Sequence, residues 1–325
     1  MRTTDILRAW KTILVGRIPS LSIEITKECP LTCPGCYAYG DEHLGGEVLL
    51  RQVSDYKGKE LVYRVIELVD MHQPLHVSIV GGEPLVRFRE LNEILPELAK
   101  RRIGTQVVTS AVREIPQEWS RLRQVQIAVS IDGLAPEHDA RRKPATYDRI
   151  LRNIAGHRIT VHCTITRQMT ERPGYLREFV DFWSQRNEVS RIWMSIFTPQ
   201  IGETSYEVLS KASRAEVVRE LLELRGVYPK LDMPSGVIEG FLNPPPNPDH
   251  CIFAKTTSSF TADLKTRVGP CQFGGNPDCS QCGCMASVGL HNIGKHRLAG
   301  TIPVAWLFHT SHRVGTAFSK MRKAG

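Results

Sequence analysis

The sequence predicts an α/β fold in which parallel strands are joined by crossover helices. Three observations carry this. Apolar, strand-like runs recur along the first two thirds of the chain; amphipathic stretches with three- and four-residue apolar spacing separate them; and the alternation repeats about six times. With 325 residues the chain can bury one large domain and a small appendage.

Taken in order, residues 6–14 place Arg8 and Lys11 beside Trp10, Leu7 and Leu14, a basic amphipathic pattern. Residues 20–26 read as a buried strand that runs straight into the cysteine-rich CPLTCPGC segment. Further strands are expected at 75–80, 105–109, 125–131, 159–165 and 191–196. Helical patterns fill about 59–72, 88–101, 145–156 and 174–187, with Leu61, Val65, Leu68 and Val69 marking one apolar face. A helix near 213–225 closes the region, and the proline-rich stretch 243–249 reads as a linker. Three units follow from this: an N-terminal amphipathic helix (1–17), a main domain (18–242) and a cysteine-rich extension with a basic C-terminal helix (243–325). In parallel sheets of this kind chemistry gathers at the carboxyl ends of the strands, and the cysteine loop falls on that edge.

Hydrophobic content of 41% and charged content of 23% are ordinary for a globular protein. No run approaches the roughly 20 apolar residues of a membrane span, and the N-terminus has no signal-peptide pattern. Nine cysteines grouped as CxxxCxxC and CxxCxC suit a reducing cytoplasm, where thiols serve metals. The net charge of +8 favours an anionic partner: nucleic acid, acidic lipid, a phosphorylated substrate or an anionic cofactor.

Cys29, Cys33 and Cys36 can converge on one point from a turning loop. Three thiols are one short of a closed tetrahedral site, and a four-iron cluster held by three cysteines keeps one iron open. A redox CxxC, or a zinc site completed by His43, are the alternatives. Gly81, Gly82, Glu83 and Pro84 follow the second strand; adjacent glycines admit close backbone approach and Glu83 can accept hydrogen bonds from an amine, or the segment is a turn before a helix. Ser130 and Asp132 end the fourth strand two residues apart and face one way, which suits ribose hydroxyls or a helix cap.

In series, CxxxCxxC, GGEP and SxDG resemble the radical S-adenosylmethionine (SAM) family over about residues 18–200. The resemblance implies a partial (β/α)6 TIM-like barrel. It implies that Cys29, Cys33 and Cys36 hold a 4Fe–4S cluster whose open iron takes the amino and carboxylate groups of SAM. Gly81, Gly82, Glu83 and Pro84 would line the methionine amine, and Ser130 and Asp132 the ribose. His138-Asp139-Ala140-Arg141-Arg142 is similar to a family HDxxR segment, so Arg142, or Arg141, would pair with the SAM carboxylate. Members usually carry an aromatic residue just before the third cysteine; Gly35 stands there, and Tyr37 is the nearby substitute for adenine contact. The implied chemistry is reductive cleavage of SAM to a 5′-deoxyadenosyl radical that abstracts a substrate hydrogen, in a dry interior holding SAM in one pose. A low-potential donor such as flavodoxin or ferredoxin would supply the electron.

Cys251, Cys271, Cys279, Cys282 and Cys284 resemble the twitch or SPASM extensions that carry auxiliary 4Fe–4S clusters, with a hairpin expected at 259–268. Seven cysteines serve two clusters in a full SPASM domain, so five imply one, held by Cys251, Cys271 and two of the last three, Cys279 and Cys282 first. A four-cysteine zinc site is the alternative. Cys163 is expected in the core. His162, Thr164 and Met194 are inward by strand alternation and so candidate substrate residues.

The substrate expectation is a lipid or isoprenoid, because both termini are basic and amphipathic and can rest on an anionic membrane surface. The N-terminal layout is similar to hopanoid-modifying radical SAM enzymes. That places the protein in the cytoplasm, with peripheral contact at the inner face of the membrane, and makes nucleic acid the less suitable partner. The alternatives are a ribosomal-peptide maturase, with no recognition domain fused ahead of Cys29, and a non-catalytic iron–sulfur electron carrier.

Overall fold

The computed structural model describes residues 3–144, 147–298 and 300–324. Helix α1 (Thr3–Leu14) leads into strand β1 (Ser20–Glu24). Helix and strand then alternate: α2 (Gly58–His72), β2 (His76–Val80), α3 (Phe88–Lys100), β3 (Gly104–Thr109) and β4 (Val125–Ser130). Short helices α4 (Ala135–Arg141) and α5 (Tyr147–Asn153) precede β5 (Ile159–Ile165). After α6 (Arg167–Thr170) and α7 (Tyr175–Ser184) comes β6 (Val189–Ile196). Helices α8 (Lys211–Val227), α9 (Ser235–Gly240) and α10 (Ile252–Thr256) lead to β7 (Thr257–Phe260) and β8 (Arg267–Val268). The chain ends in α11 (Met285–Lys295) and α12 (Val304–Ala324).

These eight strands form one sheet in the order β6-β5-β4-β3-β2-β1-β7-β8, and a separate two-stranded pair, Arg297–Leu298 with Ile302–Pro303, precedes α12. β1 to β6 are parallel to their neighbours, the partial (β/α)6 arrangement. The expected hairpin is present, but its first strand pairs parallel with β1, Ser22 opposite Ser259, so the sheet continues into the cysteine-rich extension.

Strand alternation divides the side chains between two environments. On β5, Val161, Cys163 and Ile165 are fully buried in the main core, while His162 and Thr164 line the interior cavity. Leu61, Val65, Leu68 and Val69 of α2 close on the outer face of the sheet, as the spacing predicts. Each such side chain contributes about 1.5–3 kcal/mol on burial. α8 opens at Ser210, whose hydroxyl accepts from the Ser213 N–H at 3.0 Å, and α2 stops at Gln73, a left-handed residue. These outer helices leave the carboxyl ends of the strands free for the loops.

Candidate active site at the carboxyl edge of the sheet

The loop after β1 carries Cys29, Cys33 and Cys36 as free, half-buried thiols. Its first limb is held by charge. Arg87, itself buried, donates to Asp55 at 2.8 Å and to Glu28 at 3.1 Å, and Lys57 reaches Glu28 at 2.6 Å. Hydrogen bonds from Arg87 and then Lys57 lower the Glu28 carboxyl to about 2. Thr26 donates to Asp55 at 2.9 Å, Lys27 to the Val53 carbonyl at 2.7 Å, and the Tyr39 hydroxyl to the Lys27 carbonyl at 2.8 Å. Burial pushes the Cys29 thiol up to about 12 and raises Cys33 as well, so both must lose protons to bind a metal.

The Gly81-Gly82 turn is stitched to that limb. The N–H of Gly82 donates to the Thr26 carbonyl and that of Glu83 to the Glu28 carbonyl, both at 2.8 Å. A Cβ on Gly82 would lie 2.1 Å from the Glu28 oxygen, so only glycine lets the backbones meet one residue before Cys29. The Glu83 carboxylate turns into the protein: it accepts from Leu85 N–H at 2.9 Å, Ser110 N–H at 2.8 Å, and the Thr109 and Ser110 hydroxyls. Gly81, Gly82, Glu83 and Pro84 are not among the residues that line the cavity.

Gly35 stands where the sequence resemblance leads one to expect an aromatic residue. Its φ is +62°, and a Cβ there would stand 2.9 Å from the Phe197 ring and 2.7 Å from Glu207. Those two side chains occupy the space an aromatic residue would need. Tyr37 lines the cavity and meets Phe273 edge-on, ring centroids 5.4 Å apart.

Ser130 and Asp132 line the cavity with Arg141 and Arg142. Asp132 accepts from the Thr164 N–H at 2.9 Å through one oxygen; the other pairs with both arginines, Arg142 at 2.8 Å. Burial alone would raise the Asp132 carboxyl, but Arg141 and Arg142 reverse the sign and lower it. Arg141 also grips Glu207 through two hydrogen bonds, 3.1 and 2.8 Å long. Arg142 makes the Asp132 pair alone among the ion pairs of the described residues.

The cavity holds about 440 Å³, and polar groups are set into a lining whose exposed surface is mainly apolar. Cys33, Cys36, Ser22, Ser78, Gln106, His162, Thr164 and Ser195 all face it; Cys29 does not. His162 Nε2 lies 2.9 Å from Ser195 Oγ, and burial lowers the imidazole's pKa. The alternation argument misplaces Met194. In register, His162 pairs with Trp193 and Thr164 with Ser195, so Met194 lies beside Cys163 in the core. The irregularity between Ile159 and Thr160 shifts β6 by one residue, and Trp193 and Ser195 are the inward pair.

Cys251, Cys271, Cys279, Cys282 and Cys284 line a second, small cavity of about 20 Å³. Thr198, Phe253, Phe273 and Cys284 line both cavities and so form the partition between them. The nest hangs on the end of β6: Ile196 N–H donates to the Gly283 carbonyl, and Gly283 N–H to the Thr198 hydroxyl, both at 2.9 Å. Arg214 on α8 donates to the Gln281 carbonyl at 2.7 Å and the Cys282 carbonyl at 3.3 Å. Five thiols gathered in one place suit a multi-iron cluster, which takes several sulfur ligands. Among the described residues no three His, Cys, Asp or Glu side chains are set for a single metal ion. His43 is not available as a zinc ligand, because Nε2 pairs with Glu24 at 2.7 Å and Nδ1 with the Phe273 carbonyl at 2.9 Å.

The family model described as Radical SAM superfamily matches residues 23–166. No curated protein matches the sequence. Among solved structures, the chain is similar to Streptococcus suis SuiB bound to precursor peptide SuiA, at 15% identity over 94% of this chain and 68% of that one, TM-score 0.58. SuiB bound to S-adenosylmethionine is 16% identical over 79% of this chain, TM-score 0.53, and the chain spans only 59% of its length. Native anSMEcpe with bound AdoMet is 14% identical over 93% of this chain and 97% of that one, TM-score 0.57. At these identities the likeness is one of fold.

Proposed function

Residues 23–166 of this chain are a radical SAM domain, and on that premise we propose an enzyme that binds SAM at the cysteine loop and removes a hydrogen atom from a peptide-class substrate held in the barrel cavity. When bound, the 4Fe–4S cluster and SAM supply a 5′-deoxyadenosyl radical. Cys29, Cys33 and Cys36 would hold that cluster. The observation that carries the reading is that Cys33 and Cys36 line one cavity with Ser130, Asp132 and Arg142.

The chain's own groups orient and shield. Gly81 and Gly82 bring the second strand's backbone against the cysteine loop, Pro84 starts the next helical turn, and Glu83 anchors that turn to Thr109 and Ser110. Arg142 is the better partner for the SAM carboxylate, because Arg141 is committed to Glu207 as well as Asp132. Ser130 and Asp132 face the ribose side, and Tyr37 offers its ring to the adenine. The outer helices keep water from the interior, where hydrogen transfer requires a fixed pose.

Polar groups set into a mainly apolar lining suit the peptide class, which offers both kinds of surface. Ser22, Ser78 and Gln106 on the cavity wall can pair with a substrate's donors and acceptors, while His162 and Ser195 already meet each other. The neighbouring structures carry a precursor peptide SuiA and a Cp18Cys peptide. A lipid or isoprenoid substrate keeps one observation in its favour, the exposed apolar side chains of the terminal helices. The cysteine nest of the extension (243–325) would hold an auxiliary cluster, and a flavodoxin- or ferredoxin-class donor would reduce the N-terminal one.

The test is anaerobic reconstitution, reduction and addition of SAM, with 5′-deoxyadenosine and the cluster's spectrum followed together. Cleavage absent in Cys33→Ala, with a SAM-induced spectral change, is expected. Cleavage no greater than in that variant would leave an electron carrier in place of the enzyme.

A further inference from the structure

The two terminal helices pack on each other: Trp10 Nε1 donates to Ser311 Oγ at 2.5 Å, and Ile13 and Ser311 are buried. Their outer faces expose large apolar side chains. On α12, Val314, Phe318 and Met321 follow the i, i+4, i+7 spacing of one stripe, with Phe318 54% and Met321 71% exposed. Trp306 at the start of α12 and Leu7 and Leu14 on α1 are exposed too. Arg313 and Lys320, both exposed, run along the side of the α12 stripe away from its buried face. After Asp278 the sequence contains six Lys and Arg residues and neither Asp nor Glu.

Exposed apolar side chains flanked by bases, on a segment without acids, are complementary to an interface that is apolar inside and anionic at its surface. Nucleic acid would use the charge but leave Phe318 and Met321 in water. We propose that the outer face of α1 and α12 docks the protein on an anionic lipid bilayer, with Val314, Phe318, Met321 and Trp306 entering the headgroup–acyl boundary and Arg313 and Lys320 meeting the headgroups. No helix among the described residues is long and apolar enough to cross a membrane, so the contact is peripheral. The docking does not depend on the chemistry proposed for the barrel.

The experiment is sedimentation of the reconstituted, full-length protein with vesicles of phosphatidylcholine alone or mixed equally with phosphatidylglycerol. Binding to the mixed vesicles only, weakening as salt rises, is expected. Phe318→Glu with Met321→Glu should lower the bound fraction at least about tenfold, with circular dichroism and iron content unchanged because both side chains are solvent-facing. Arg313→Glu with Lys320→Glu should flatten the salt dependence. Brominated lipid should quench Trp306 emission, read as the difference from Trp306→Phe. No binding to anionic vesicles, or binding untouched by the Phe318 and Met321 changes, overturns the proposal. So does a concentration-dependent dimer that those changes dissolve while vesicles bind nothing, since the stripe would then serve a second copy of the chain.

Discussion

The imidazole of His43 donates from Nδ1 to the carbonyl oxygen of Phe273, 2.9 Å away and 230 residues later in the chain. Through Nε2 the same ring meets the buried Glu24, so one side chain ties the end of β1 to the loop between Cys271 and Cys279. Burial opposes the imidazolium, but the Glu24 hydrogen bond and charge outweigh it and the His43 pKa is raised. Its stabilisation is therefore complete below pH 6.5 and fades as pH rises through the raised value. His43→Ala would strand Glu24, whose Oε2 already lacks a partner. We expect a loss of about 3–5 kcal/mol in denaturant unfolding, partly restored by Glu24→Gln. An unchanged midpoint would mean the tie carries no weight.

His138 predicts the opposite pH behaviour. It is fully buried, accepts from the Asp132 N–H at 3.2 Å and leaves Nε2 without a partner. Burial first, and the charge of Arg142 second, lower its pKa from 6.5 to about 4. The unfolded chain therefore binds a proton that the folded one refuses. Stability from this group is full above pH 6.5 and is lost as pH falls from 6.5 to 4, by about 3 kcal/mol. Unfolding of wild type and His138→Gln across that range should show the extra acid slope only in wild type.

Arg141 and Arg142 should separate structure from ligand binding. Arg141→Ala breaks pairs with both Asp132 and Glu207, two buried carboxylates, and should cost about 3–5 kcal/mol. Arg142→Ala leaves Asp132 its Arg141 partner, so the stability loss should stay near 1 kcal/mol. The same variant should need about tenfold more SAM to perturb the cluster spectrum, with Arg142→Lys intermediate because ammonium lacks the planar fork. Equal SAM affinity in Arg142→Ala and wild type would remove Arg142 from the carboxylate site.

What could be read from the sequence was what depends on near neighbours in the chain. The cysteine loop is local, and the inward placing of His162 and Thr164 follows from alternation within β5. Met194 fails because its facing depends on the register of β6 against β5, which a one-residue irregularity resets. Glu83 invites assignment to a ligand, yet its partners Thr109 and Ser110 lie on the next strand and its loop, and no spacing rule reports them. The pairing of β7 with β1 joins residues more than 230 apart and carries no local mark. Gly35 carries a signal that can be used: a glycine where an aromatic residue is expected points to another side chain filling that space, here Phe197.

Five cysteines around one nest exceed the four that a cubane needs, and their surroundings rank them. Cys279 opens a short 3-10 turn and lines only the nest. Cys284 is buried in the partition, faces both cavities and accepts from Gln272 Nε2 at 3.5 Å. A thiol so placed is the one to leave out of the ligand set. Cys251→Ser, Cys271→Ser, Cys279→Ser and Cys282→Ser should each lose about four irons per chain with the matching sulfide, while Cys284→Ser keeps them. The loaded wild type should then show one more alkylatable thiol than Cys284→Ser after mild unfolding that spares the cluster. Iron lost from Cys284→Ser but kept in Cys279→Ser would exchange their places. Stoichiometric zinc, with no iron lost from any of the five, would replace the cluster itself.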